Sequence, residues 1–102
     1  MLFRSLDVKL RVFRDLDRLA PPQAILASNT SGFPIAAMAG ATGRPGRVIG
    51  WHWASPPPVM RLAEIVVTPA TSDETTETVR KLAAACGKNP VVVKDQIGRA
   101  HV

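Results

Sequence analysis

The sequence has one cysteine and no tyrosine, and aromatic residues make up 5% of its 102 positions. A single cysteine excludes an internal disulfide framework and a cysteine-based zinc site, and it suits a reducing, cytoplasmic setting. No apolar run approaches the roughly 18 residues of a membrane span, so no membrane partner is expected. The glycine-rich phosphate fingerprint is also missing. Gly40, Gly43 and Gly46 are spaced three apart, but their loop contains Pro45 and leads into a predicted strand. A dinucleotide phosphate turn needs a strand before it and a helix after it. Charge of one sign is not concentrated either. Lys plus Arg number 13 against 8 Asp plus Glu, a net charge of +5, yet the longest basic cluster is the Arg80-Lys81 pair. Asp7, Asp15 and Asp17 are mixed with Arg11, Arg14 and Arg18 as on a solvated helix face. Trp51, Trp53 and the three Phe do not interleave with basic residues as a stacking platform would, so nucleic acid is not an expected partner. The hydrophobic share of 46% is too high for a disordered tail and fits one modest domain.

What is present alternates between two periodicities. Leu6, Val8, Val12, Phe13, Leu16 and Leu19 stand close to helical spacing and predict an amphipathic helix that Pro21-Pro22 stops. Ala24-Ile25-Leu26-Ala27 reads as a short buried strand, and Ser28-Asn29-Thr30-Ser31-Gly32 as the loop after it. Pro34 can open a short helix through Ala39. Arg47 to Trp51 predicts the next strand, leaving His52 in the loop beyond it, before Pro56-Pro57-Pro58. Leu62 to Val67 returns as a strand. Thr71 and Glu74 have capping-box spacing for a helix with Val79, Leu82, Ala83 and Cys86 on one face, ending at Gly87. Pro90 to Val93 closes the series as a strand. Helices alternating with short β-branched runs predict an α/β sheet.

Chemistry concentrates on His52. A residue at the carboxyl edge of an α/β sheet is where such folds place ligands. Glu64 follows twelve positions later, and a carboxylate paired to an imidazole fixes its tautomer and stabilises the imidazolium. Spacing alone leaves the other reading open, a structural histidine at a strand end and a surface glutamate. The Ser28–Ser31 segment is either a set of ligand donors or an ordinary polar turn. Trp51 and Trp53 either wall a pocket or pack in the core. Cys86, on the apolar face of its helix, is expected as buried filler.

Read together, the segments resemble the NAD-binding domain of the L-3-hydroxyacyl-CoA dehydrogenase family. The likeness runs from Leu6-Asp7-Val8-Lys9 through Leu16-Asp17-Arg18-Leu19 and Ile25-Leu26-Ala27-Ser28-Asn29-Thr30-Ser31. It continues through Arg47-Val48-Ile49-Gly50, His52 and Pro56 to Glu64, then Ala70 to Thr75 and Gly87 to Asp95. The resemblance implies an α/β, partial Rossmann-like doubly wound fold and NAD-dependent oxidation of a 3-hydroxyacyl-CoA in fatty-acid β-oxidation. It implies that His52 takes the hydroxyl proton and that Glu64 orients the imidazole. It also implies that Ser31 lies beside nicotinamide and substrate hydroxyl, and that Lys9 contacts the cofactor. Ser55 stands where the family usually carries an asparagine, in His52-Trp53-Ala54-Ser55-Pro56, and is assigned a cofactor contact with a hydroxyl in place of an amide. Gly32 replaces a frequent second serine. The implied partners are an acyl-CoA substrate and, for the parent, a second copy or the other parts of a multifunctional β-oxidation enzyme. No metal is implied. A 3-hydroxybutyryl-CoA or related hydroxy-acid dehydrogenase is the alternative within the enzyme class. A non-catalytic acyl-CoA or partner-binding module is the alternative outside it.

The family's first βαβ unit, with its glycine-rich turn, is expected before Leu6, so residues 6–95 are expected to be inactive by themselves. Residues 1–5 and 96–102 are expected to be non-native ends. Back-translated as GTG CTC TTC CGA TCT and CAG ATC GGA AGA GCA CAC GTC, they fit reverse-complementary strings of a sequencing adapter.

Overall fold

The computed structural model describes residues 2–29, 34–53 and 62–95, with side chains from Leu6 onward and without that of Trp53. Helix α1 (Leu2–Leu19) precedes strand β1 (Leu26–Ser28), then come helix α2 (Ile35–Gly40) and a 3₁₀ turn (Pro45–Arg47). Strands β2 (Val48–Trp53) and β3 (Leu62–Val67), helix α3 (Asp73–Ala85) and strand β4 (Asn89–Lys94) follow. The four strands form one sheet in the order β1-β2-β3-β4. β1 pairs parallel with β2, β2 antiparallel with β3, and β3 parallel with β4. The expected mixed α/β architecture is present.

Alternation along the strands divides the interior into two layers. On one face Leu26 and Val48 pack with Phe13 of α1 and with Ile35, Met38 and Ala39 of α2. On the other, Ile49, Ala63 and Ile65 pack with Val79 and Ala83 of α3. The apolar spacing of α1 is only partly used. Phe13 is buried, and Leu10 and Ala20 pack beside it, whereas Val8, Val12, Leu16 and Leu19 remain exposed.

Gly50 sets the closeness of the first layer. A Cβ there would lie 2.8 Å from Val66 Cβ and 3.0 Å from Ile35 Cδ1, distances that require backbone or side chains to move. Gly50→Ala is expected to destabilise the chain by about 1–3 kcal/mol. A denaturant midpoint lowered at unchanged slope is the measurement, and an unchanged midpoint would contradict the close packing.

Helix α3 starts one residue later than its predicted cap. Ser72, not Thr71, is the N-cap: its Oγ accepts from the Thr75 backbone N–H at 3.1 Å. Thr71 is occupied by the turn leaving β3, where its Oγ1 accepts from the Thr68 N–H at 2.9 Å. The buried stripe is Thr75, Val79 and Ala83 at four-residue spacing. Leu82 is half exposed and Cys86 is exposed, so the thiol is not core filler as expected. Gly87, at φ 82°, ends the helix in a left-handed turn. Its N–H donates to Ala84 O and that of Lys88 to Ala83 O, the paired bonds of a glycine C-cap.

Candidate active site

His52 lies inside β2 rather than in a loop beyond it, which corrects the expectation from sequence. The strand outlasts Trp51 because β3 returns antiparallel alongside it, pairing Trp51 with Ile65, His52 with Glu64 and Trp53 with Ala63. Directly opposed residues on an antiparallel pair have Cβ atoms about 5 Å apart on one face. Twelve residues of sequence separation thus become direct neighbours. His52 Nδ1 donates to Glu64 Oε1 across 3.3 Å, since an ionised carboxylate only accepts. The side chains are 33% and 43% exposed, so the pair is oriented by the sheet yet open to a ligand. A neutral imidazole whose Nδ1 carries the proton presents Nε2 as a base.

Trp51 does not share this face. Trp51 alternates to the opposite side, where it packs against the core under α3. It also lines an open cleft of about 210 Å³ at the end of β1, together with Ala27, Ser28 and Asn29. The two readings offered for Trp51, pocket wall and core packing, therefore both apply. Ser28 is buried and pairs in register with Gly50, two residues before His52 on the same face. Lys9 is half-buried on α1, in the layer that covers the His52 face, and is engaged in an interaction within the fold. Ser31, Ser55 and the triple proline lie outside the described residues.

Two residues that sequence reading passed over shape the surroundings. Arg44, one of the 13 Lys and Arg residues, is a nearly buried guanidinium that binds Asp17. Asp95, quoted only as the end of the family likeness, is a buried carboxylate at the exit of β4. Neither carries a local sequence signal, because their partners lie 27 and 59 residues away. Among the described residues no group of three His, Cys, Asp or Glu converges as metal ligands would, and no helix is long and apolar enough to cross a membrane.

Residues 1–96 match the family described as 3-hydroxyacyl-CoA dehydrogenase, NAD binding domain. A probable 3-hydroxybutyryl-CoA dehydrogenase of Bacillus subtilis is 48% identical over 91 residues, covering 89% of this chain and 32% of that protein. The fatty acid oxidation complex subunit alpha of Idiomarina loihiensis is 43% identical over 97 residues, 95% of this chain and 14% of that subunit. The crystal structure of 3-hydroxybutyryl-CoA dehydrogenase from Escherichia coli superposes with a TM-score of 0.84 at 40% identity, over 87% of this chain and 19% of that one. The chain thus spans a third or less of the length of these relatives. By sequence and by its Rossmann-type α/β fold, it belongs to the NAD-binding-domain family of the 3-hydroxyacyl-CoA dehydrogenases.

Proposed function

We propose that this chain is the histidine-bearing part of an NAD-dependent dehydrogenase that oxidises an L-3-hydroxyacyl-CoA to the 3-oxoacyl-CoA. The observation that carries the reading is the His52–Glu64 pair, held by strand register at one open sheet edge. His52 takes the proton from the substrate hydroxyl as the carbon-3 hydrogen departs with its electron pair. Glu64 keeps the imidazole in the tautomer that can accept this proton and stabilises the imidazolium that results. When bound, NAD supplies the hydride acceptor.

The residues present fit the nicotinamide end of that cofactor. The cleft at the end of β1 offers an indole wall, a hydroxyl and an amide, groups able to hold a carboxamide ring. Ser31, at the end of the same connection, is assigned to the nicotinamide and the substrate hydroxyl. Ser55 and Lys9 are assigned to further cofactor contacts. The pyrophosphate needs a glycine-rich turn at a helix start, which this sequence does not contain. The working compartment is read as cytoplasmic, in keeping with one exposed thiol. Fatty-acid β-oxidation, in a homodimer or a multifunctional enzyme, is the proposed setting; the Idiomarina relative, named as a fatty acid oxidation complex subunit, supports its fatty-acid-oxidation part.

A short-chain 3-hydroxybutyryl-CoA substrate is the second reading, favoured by the printed names of the Bacillus and Escherichia coli relatives. A panel of 3-hydroxyacyl-CoA thioesters of rising chain length, assayed with NAD on a full-length protein carrying this domain, separates the two. Comparable kcat/KM from four to sixteen carbons supports the broad reading, and a loss of about 10²-fold beyond four carbons supports the short-chain one. Binding of acyl-CoA without NAD reduction would replace both with a non-catalytic module.

A further inference from the structure

Among the described residues, three large apolar side chains of the sheet are exposed: Leu62, Val91 and Val92. Two of them adjoin Glu64. Leu62 precedes Glu64 by two positions on β3, so the two side chains share a face. Val91 is the register partner of Glu64 on β4 and shares that face as well. Val92 pairs with Ile65 and looks the other way, toward the core under α3. Leu62 and Val91 therefore bracket the carboxylate that holds His52.

Burial along this face fades in one direction. Val66, two positions beyond Glu64, packs against the core that Ile35 and Met38 of α2 close. Leu62, two positions the other way, is 39% exposed, and Val91 is 45% exposed. Single apolar side chains at a surface are ordinary, whereas apolar side chains that adjoin a few polar groups are the composition of a ligand site.

The reaction decides which ligand. Proton transfer puts the hydroxyl of carbon 3 at the imidazole. Carbon 4 of the acyl chain is bonded to that carbon, so the chain starts beside His52. Leu62 is the diagonal neighbour of His52 across β2 and β3, with Cβ atoms about 7 Å apart. Val91 lies two inter-strand spacings from His52, about 10 Å. The Glu64 carboxylate is turned toward His52 Nδ1, which leaves the apolar side chains on either side of it uncovered. At ordinary single-bond lengths an alkyl chain reaches Leu62 first, and Val91 after on the order of eight carbons.

We infer, on the dehydrogenase reading above, that Leu62 and Val91 form a shelf for the acyl chain beyond carbon 4 and set how turnover depends on chain length.

A full-length protein carrying this domain is assayed with NAD and the 3-hydroxybutyryl, 3-hydroxyoctanoyl and 3-hydroxydodecanoyl thioesters of CoA. Val91→Thr exchanges a methyl for a hydroxyl and keeps the β-branched shape that suits a strand. It is expected to lower the dodecanoyl-to-butyryl ratio of kcat/KM about fivefold, with the octanoyl-to-butyryl ratio kept within about twofold. Leu62→Gln is expected to lower both ratios about fivefold, because its side chain is met earlier. Val92→Thr is the control, 44% exposed on the same strand but on the opposite face, and should alter neither ratio by more than about twofold. Should Val91→Thr fail to fold, Val91→Ala carries the same comparison. Ratios unaltered by Val91→Thr and Leu62→Gln, or lowered as much by Val92→Thr, overturn the shelf and give this face to protein, a second copy or another segment of the parent. A wild-type protein confined to the butyryl thioester overturns the shelf and leaves the dehydrogenase reading standing. NAD reduction with none of the thioesters overturns that reading, and the shelf with it.

Discussion

Changing His52 to glutamine in a full-length protein carrying this domain is expected to lower kcat about 10³-fold, with NAD affinity kept within about twofold. Glutamine has no basic nitrogen near neutral pH, so the hydroxyl proton loses its acceptor in the transition state. Its amide still donates to Glu64, so the carboxylate keeps a partner and the strand pair keeps its register. His52 is also one-third exposed at the open end of β2, away from the two cores, so folding is spared. The loss is therefore one of chemistry, visible in kcat and absent from the far-ultraviolet dichroism and the cofactor titration. A variant that retains kcat within about tenfold would remove His52 from the proposed role.

Arg44→Ala is expected to lower the Tm of the 102-residue chain by on the order of 10 °C. The Arg44 side chain is 10% exposed, and all five of its N–H groups are used. Nε donates to Asp17 Oδ1 at 2.7 Å. Nη1 donates to Pro21 O at 2.7 Å and Ala24 O at 2.9 Å. Nη2 donates to Asp17 O at 2.9 Å and Ala20 O at 3.3 Å. These carbonyls belong to the last turn of α1 and the loop into β1, where backbone acceptors have no helical partner. Because Ala24 leads into β1, the clamp also sets where Ser28 and Asn29 emerge at the cleft. Lysine offers a point donor in place of a planar fork, so Arg44→Lys is expected to recover only a minor part of the loss. A Tm within about 3 °C of wild type for Arg44→Ala would refute the clamp.

The same cluster predicts an acid limit. The Gly43 N–H first, and then the Arg44 guanidinium, hold the Asp17 carboxyl below the usual carboxylate range. A carboxyl whose value is lower folded than unfolded contributes stability that is present above its unfolded value, about 4. That contribution is lost as pH falls through the folded value. Tm is thus expected to decline on acidification below about pH 4, and Asp17→Asn to flatten that decline. Identical profiles for the two chains would show that Asp17 does not govern it.

Much of the scaffold was legible in the sequence, and for local reasons. The β-branched run from Leu62 to Val67 is the strand observed, and Gly87 ends α3 because its φ of 82° suits glycine. The resemblance identified the family that the matches bear out. Patterns that depend on a neighbour were less legible. Helical spacing marked Val8, Val12, Leu16 and Leu82 as inward, but which side of a helix meets the sheet is decided by the other elements, and these side chains are exposed. Thr71 had the spacing of a cap, yet the turn after β3 claims its hydroxyl and Ser72 caps the helix.

The sequence by itself determined the alternation of helices and strands, the family, and the residue types able to move a proton, because propensity, periodicity and motif order are local properties. Tertiary structure decided the rest. Antiparallel pairing of β2 with β3 turned His52 and Glu64 from residues twelve apart into a pair 3.3 Å apart. Strand alternation sent Trp51 to the other face, and chain closure brought Asp95 to α2 and Arg44 to the end of α1. The pairings of His52, Asp95 and Arg44 are contacts across long sequence separation, and their geometry exists only once the sheet has formed.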